Sequence, residues 1–172
     1  MIRYERMLFF PTLLTASDWF IDAMFHTGQR SVLWNQAEPG GGNLLKVALV
    51  RHPCRWLSDC YRAVNTDTSL IRLTRLQPWT RLRNGSVGEF VEDYLRSSPG
   101  AVGKLFDACE VDTCIRVEDL PYAFLELLES LDIVRPPTLP ELLHCPATRM
   151  EPEHWRRVVR AERDFCERYD YY

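Results

Sequence analysis

The sequence predicts an α/β protein with three layers, α/β/α, around a mostly parallel central sheet. Short apolar runs of the length of buried strands alternate along the chain with stretches of helical periodicity. The run from Val47 to Val50 is continuously apolar, which is typical of a strand buried on both faces of a sheet. Strands that alternate with helices favour parallel pairing through right-handed crossovers. At 172 residues, with no internal repeat or low-complexity linker, the chain is predicted to form a single domain, residues 1–172.

The first part of the chain is predicted to hold three strands and two helices. Pro11 and Pro53 each follow an apolar strand and remove a backbone donor, while Ser17 is expected to cap a helix that ends at Gly28. The predicted bounds are strand 7–10, helix 17–28, strand 31–34, loop 38–42, strand 47–50 and a helix from the Pro53 turn to about residue 64.

The second part is predicted to hold three further helices and one strand. An irregular, arginine-rich segment covers residues 65–84, and Ser86 is expected to cap the helix that follows it. The predicted bounds are helix 86–95, strand 113–117, a helix opened by residues 118–121 that runs to 131, a proline-rich connector 135–140 and one final helix 152–169.

Composition and charge exclude several classes of protein. The net charge of −3 gives no general attraction to nucleic acid or to an anionic membrane, so neither is expected as a partner. Asp18 and Asp22 interrupt the apolar stretch near the N-terminus, and no run is long enough to cross a bilayer, so a cytoplasmic location is expected. The six cysteines form no CxxC pair and lack zinc-ligand spacing, so no metal site is expected.

Arg51 is the first residue beyond the apolar run 47–50, at the carboxyl end of the predicted strand. In an open α/β sheet, ligands bind in the crevice at this end of the strands. A guanidinium carries a fixed fork of donors, and Ser58 on the next helix adds a hydroxyl, which together suit a phosphate. An alternative is that Arg51 forms a surface ion pair with Asp59. The adjacent His52 is expected to pack or to cap the helix rather than to act as a base.

The segment VALVRHPxxWLxxxY, residues 47–61, resembles the 3′-phosphate-binding segment of sulfotransferases that use 3′-phosphoadenosine-5′-phosphosulfate (PAPS). In this alignment Asp59 stands where the family has its phosphate-binding serine, and Ser58 lies one residue earlier; both are candidates for contact with the cofactor. GSVGEFVEDYL, CIRVEDLPYAFLELLESLDI and ERDFCERYDYY are similar to later segments of the family, in the same order. The resemblance implies the P-loop-like sulfotransferase architecture.

The family's 5′-phosphosulfate loop has the form PKxGTTWL, and its equivalent here is residues 11–20. The resemblance implies that Thr15 and Ser17 bind the phosphosulfate and that Trp19 stacks on the adenine. Ala16 replaces the family's glycine, Asp18 replaces a hydroxyl residue, and the loop contains no lysine or arginine. The alternatives are that Thr15 is an ordinary loop residue, that Ser17 is only a helix cap and that Trp19 is a core aromatic residue.

A sulfuryl transfer also needs a general base for the acceptor, and His26 and Glu38 are the catalytic candidates. Each has an alternative, His26 as a structural histidine on the apolar side of its helix and Glu38 as a solvated loop residue. A lid or acceptor loop is the expected role of the arginine-rich segment, and one of its arginines is a candidate for the missing cation. These arginines are Arg72, Arg75, Arg81 and Arg83.

Three functions are compatible with these observations. The first is a sulfotransferase that moves a sulfuryl group from PAPS to a hydroxyl or amine of a small-molecule or carbohydrate acceptor, without a metal. The second is a non-catalytic relative that binds nucleotide or serves as an interaction protein. A P-loop kinase is disfavoured because the glycines at 40–42 lack the Walker lysine and precede a strand rather than follow one.

Overall fold

The computed structural model describes residues 1–12, 14–33, 44–66, 85–107, 110–142 and 149–172. The chain divides into two compact units. Unit 1 comprises Met1–Arg51 and Cys109–His144, and unit 2 comprises His52–Ala108 and Cys145–Tyr172. The expectation of a single domain over residues 1–172 stays a prediction.

The described residues of unit 1 form a five-stranded sheet and two α-helices. The strands are β1 (Ile2–Arg3), β2 (Met7–Phe10), β3 (Val32–Leu33), β4 (Leu45–Val50) and β5 (Thr113–Arg116), and the helices are α1 (Ser17–His26) and α5 (Tyr122–Ser130). A 3₁₀ turn, Val117–Asp119, follows β5.

The sheet order is β3-β1-β2-β4-β5, in which β2, β4 and β5 are parallel neighbours. β1 is antiparallel to both β2 and β3, so four of the five strands run in one direction. These findings confirm a mixed α/β protein with a mostly parallel sheet. β1 was not predicted, because a strand of two residues leaves no periodicity to detect.

β4 lies between β2 and β5, and its residues from Val47 to Val50 are all fully buried. This confirms the prediction of a strand buried on both faces. On one face, Phe9 of β2 stacks on Phe20 of α1 with ring centroids 4.1 Å apart, and Phe124 of α5 meets Phe20 edge-on at 5.2 Å. The core of unit 1 therefore lies between the sheet and α1 and α5.

The described part of unit 2 contains five helices: α2 (Pro53–Thr66), α3 (Val87–Ser97), α4 (Ala101–Asp107), α6 (Pro152–Ala161) and α7 (Arg163–Arg168). Ser86 caps α3 as predicted, and Glu89 completes a capping box by accepting from the Ser86 N–H. α4 was not predicted. The prediction of one final helix was wrong, because the chain breaks at Glu162 between α6 and α7.

Within the described residues, none of the helices combines the length and the apolar character that crossing a bilayer requires.

Candidate functional site

The connection between β2 and α1 lies in unit 1 and contains two residues with left-handed backbone conformation. Leu14 has a φ of 58° and Ala16 a φ of 56°. Such φ values are unfavourable for any residue with a Cβ atom and cost about 1 kcal/mol or more each. The sequence signal for this conformation is normally glycine, and Ala16 stands where the resembling family has one.

Three hydroxyl groups hold this connection together. The Thr12 Oγ1 donates to the Leu49 carbonyl at 2.7 Å, and Thr15 Oγ1 and Ser17 Oγ donate to the Thr12 carbonyl at 2.9 and 3.0 Å. Thr12 and Thr15 are buried, and their hydroxyl oxygens also contact each other. The Thr15 and Ser17 hydroxyls are therefore engaged within the loop and fix its shape.

The N-cap of α1 is Ala16, so the prediction that Ser17 caps the helix was wrong by one position. Ser17 is the first helical residue, and its Oγ bonds back to Thr12 instead of to the helix. The methyl side chain of Ala16 cannot accept a hydrogen bond. The first N–H groups of a helix have no partner inside the helix, and the N-cap residue of α1 supplies no side-chain acceptor for them.

Arg51 is half-buried immediately beyond β4. Its Nη1 donates a long hydrogen bond, 3.4 Å, to the carbonyl of Leu14 in the connection between β2 and α1. β2 and β4 are parallel neighbours, so their carboxyl ends meet at one edge of the sheet. The loop contains no lysine or arginine, and the cation beside it comes from the neighbouring strand.

Trp19 lies in the core of unit 1. Its ring meets Phe124 edge-on with centroids 5.4 Å apart, and its Nε1–H donates to the Pro140 carbonyl at 2.9 Å. In this structure the indole is enclosed and its N–H is satisfied, as for a core aromatic residue. Its stacking on adenine stays a prediction.

Ser58 and Asp59 belong to unit 2, on α2. Ser58 is 2% exposed, and its Oγ donates to the Cys54 carbonyl one turn earlier at 2.8 Å. Asp59 Oδ1 accepts from Arg62 Nη2 at 2.9 Å. The Ser58 hydroxyl is thus bonded to its own helix and the Asp59 carboxylate has Arg62 beside it, while the cofactor contacts expected of both residues stay predictions.

The structure does not bring His26 to the loop. His26 is the last residue of α1, whose 10 residues span about 15 Å from the start of the helix. His26 is exposed, and its Nε2 lies 3.9 Å from Oδ1 of Asp22. The expectation that it faces the apolar side of the helix was therefore wrong. Glu38, the other candidate base, lies outside the described residues, as do Arg72, Arg75, Arg81 and Arg83.

Thr12 is the residue of this site that the sequence reasoning missed. It lies two residues beyond β2, directly after Pro11, and its hydroxyl ties the loop to β4 through Leu49. One sequence signal could have indicated Thr12, because it is a hydroxyl residue that directly follows the proline that ends a strand. The left-handed conformations of Leu14 and Ala16 had no such signal.

Within the described ranges, no group of three or more histidine, cysteine, aspartate or glutamate side chains is placed to hold a metal ion. Comparison of the chain with protein-family models, curated proteins and solved structures finds no match.

Proposed function

We propose that this chain binds PAPS, or its product 3′-phosphoadenosine 5′-phosphate (PAP), and transfers the sulfuryl group to a hydroxyl or amine of a small-molecule or carbohydrate acceptor. The proposal includes the finer architecture, a three-layer, P-loop-like sulfotransferase fold. One observation carries it: Arg51 reaches the connection between β2 and α1 from the end of the neighbouring parallel strand.

An anion at this edge would meet two kinds of donor. The first-turn N–H groups of α1 lack a side-chain cap, and the helix dipole favours negative charge there. Arg51 adds a delocalised cation with several N–H donors. Its long bond to the Leu14 carbonyl is weak by geometry, so a phosphate oxygen could replace it with a shorter, charge-assisted bond.

Asp18 opposes anion binding, because it places a carboxylate in the first turn of α1. Its side chain is exposed to solvent, where water and salt weaken its repulsion of a neighbouring anion. Arg51 is half-buried, so its interaction is less screened. We therefore expect the attraction by Arg51 and the helix N-terminus to exceed the repulsion by Asp18.

The backbone conformation of the loop adds support. Non-glycine residues in the left-handed region are costly and concentrate at ligand sites, where the surrounding structure holds them. Leu14 and Ala16 both adopt this left-handed conformation. Thr15 lies between these two residues, and its buried hydroxyl contacts that of Thr12. The pattern is that of a loop whose shape is maintained for its backbone donors.

Titration with PAP, with AMP as the control nucleotide, tests the binding step by calorimetry. We expect PAP to bind at least tenfold more tightly than AMP, and Arg51→Ala to weaken PAP binding by about tenfold or more, as for the loss of a hydrogen bond to a charged group. Arg55→Ala, which removes an exposed arginine of α2, is the matched control and should bind as the parent does. Absence of PAP binding to the parent protein would overturn the proposal.

A non-catalytic relative is the second candidate function. It is favoured by the hydroxyls of Thr15 and Ser17, which are engaged inside the loop, and by the lack of any lysine or arginine between residues 11 and 20. Transfer of label from radioactive PAPS to a panel of hydroxyl and amine acceptors separates the two. Binding of PAP without transfer to any acceptor would favour the non-catalytic role, and transfer that is lost in Glu38→Gln would identify Glu38 as the base.

A further inference from the structure

His52 occupies the N-cap position of α2. The helix begins at Pro53, and the first helical hydrogen bond runs from the Trp56 N–H to the His52 carbonyl at 2.9 Å. The His52 Nδ1 accepts the N–H of Cys54 at 3.1 Å. This is the bond that an aspartate or serine forms at a cap, here formed by an imidazole. It confirms the prediction that His52 packs or caps.

Two aromatic rings of the same unit hold the imidazole in this orientation. The ring stacks on Trp155 of α6 with centroids 4.5 Å apart and an interplanar angle of 26°. Tyr171, near the C-terminus, meets its edge at 5.2 Å. The packing therefore fixes which ring atom faces the start of α2.

The cap requires a particular protonation state. Nδ1 accepts a hydrogen bond only when it carries no proton, so the capping form is the neutral imidazole with its proton on Nε2. A proton on Nδ1 would place two N–H groups against each other and add positive charge at the positive end of the helix dipole. Stacking of an imidazolium on Trp155 partly offsets this loss, but it does not restore an acceptor for Cys54.

Of the described groups that contact the His52 ring, Trp155, Tyr171 and the backbone of Cys54, none ordinarily titrates between pH 5 and 8, whereas an imidazole does. Tyr171 contributes a phenol, and Trp155 does not titrate. Burial, with Cys166 and Glu162 nearby, raises the pKa of the Cys54 thiol, so it stays protonated at neutral pH. We therefore expect a loss of the Cys54 N–H bond to Nδ1 near neutral pH to result from protonation of His52.

We propose that His52 is a proton-sensitive cap that closes the first turn of α2 at neutral pH and releases it when the imidazole is protonated. The switch depends on contacts within unit 2 and needs no nucleotide. Asparagine is the matched substitution, because its side-chain oxygen can accept the same N–H and does not titrate.

Amide exchange measured by NMR tests this inference. We expect the protection of the Cys54 amide, corrected for intrinsic exchange, to fall about five-fold between about pH 7.5 and 5.5, the loss of one helix cap. In His52→Asn the protection should stay constant over this range. His154→Gln, which removes another histidine of unit 2, should behave as the parent does. Constant protection in the parent, or an equal fall in His52→Asn, would overturn the proposal.

A second measurement needs no variant. Nitrogen-15 NMR of the neutral His52 ring should place the proton on Nε2 and leave Nδ1 bare. A neutral ring protonated on Nδ1 would also overturn the inference, whether or not His52→Asn folds.

Discussion

At the scale of single residues, Glu162 of unit 2 is a carboxyl group buried inside the protein. It is 2% exposed, at the break between α6 and α7. Its carboxyl accepts the N–H groups of Val102 and Gly103, at 3.3 and 2.9 Å, and the hydroxyl of Tyr94. Burial raises the pKa of Glu162, and the backbone N–H bonds oppose this only in part.

This pKa shift predicts a pH dependence of stability. Glu162 binds its proton more tightly in the folded chain than in the unfolded one, where its pKa is near 4.5. Its contribution is therefore fully present below pH 4.5 and is lost as the pH rises through the folded-state value. Urea unfolding of the parent and of Glu162→Gln at a series of pH values measures it, because the glutamine does not titrate.

We expect the stability of the parent relative to Glu162→Gln to decrease as the pH rises above 4.5. Glu153→Gln changes an exposed residue of α6 and should show no such trend. A difference between parent and Glu162→Gln that is constant with pH would contradict the assignment.

At the scale of elements, α1 begins in an unusual way. Its N-cap, Ala16, has neither a capping side chain nor the conformation expected of an alanine. Ser17 and Thr15, which could cap a helix, are bonded to Thr12 instead. The position at which α1 starts is thus determined by the preceding loop. The helix is stabilised by packing of the face that carries the buried side chains of Phe20, Ala23 and Met24.

Ala16→Gly should raise the free energy of unfolding by about 0.5–1 kcal/mol. Glycine removes the Cβ penalty of the left-handed conformation, and its larger unfolded-state entropy cancels part of the gain. Chemical denaturation measures the change. Ala63→Gly, inside α2, has helical backbone and should lower stability by about 1 kcal/mol. A loss in Ala16→Gly similar to that in Ala63→Gly would show that Ala16 is not strained.

At the scale of the whole molecule, unit 1 has a buried core of its own. In unit 1 the sheet contributes Phe9, Val47, Leu49 and Ile115 to a core that α1 and α5 complete. Phe20 is at its centre, between Phe9 and Phe124, and is fully buried. Phe25, on the same helix, is 77% exposed.

This contrast predicts very different costs for the same substitution. Phe20→Ala should lower the free energy of unfolding by about 3–5 kcal/mol, because it leaves a cavity among aromatic rings. Phe25→Ala should change it by less than about 0.5 kcal/mol, since its ring is already in water. Thermal and urea unfolding of both variants measures the two changes. Similar losses in both would contradict the placement of α1 on the sheet.

The elements that could be predicted from the sequence are those with a strong local signal. The apolar run of β4, the capping residues of α3 and the left-handed Gly28 after α1 depend on neighbours within a few positions. α4 and β1 are too short to develop a period, and the final helix keeps its apolar spacing through the break at Glu162. Local pattern alone could not reveal these features.

The sequence by itself determined the α/β class, the order of most elements and the location of Arg51 at a strand end, because hydrophobic periodicity and proline act locally. Only the tertiary structure decided which groups meet. It brought Arg51 to Leu14, turned the Thr15 and Ser17 hydroxyls onto Thr12, enclosed Trp19 and left His26 at the far end of α1. These outcomes depend on strand pairing and helix packing between distant residues, which no local pattern encodes.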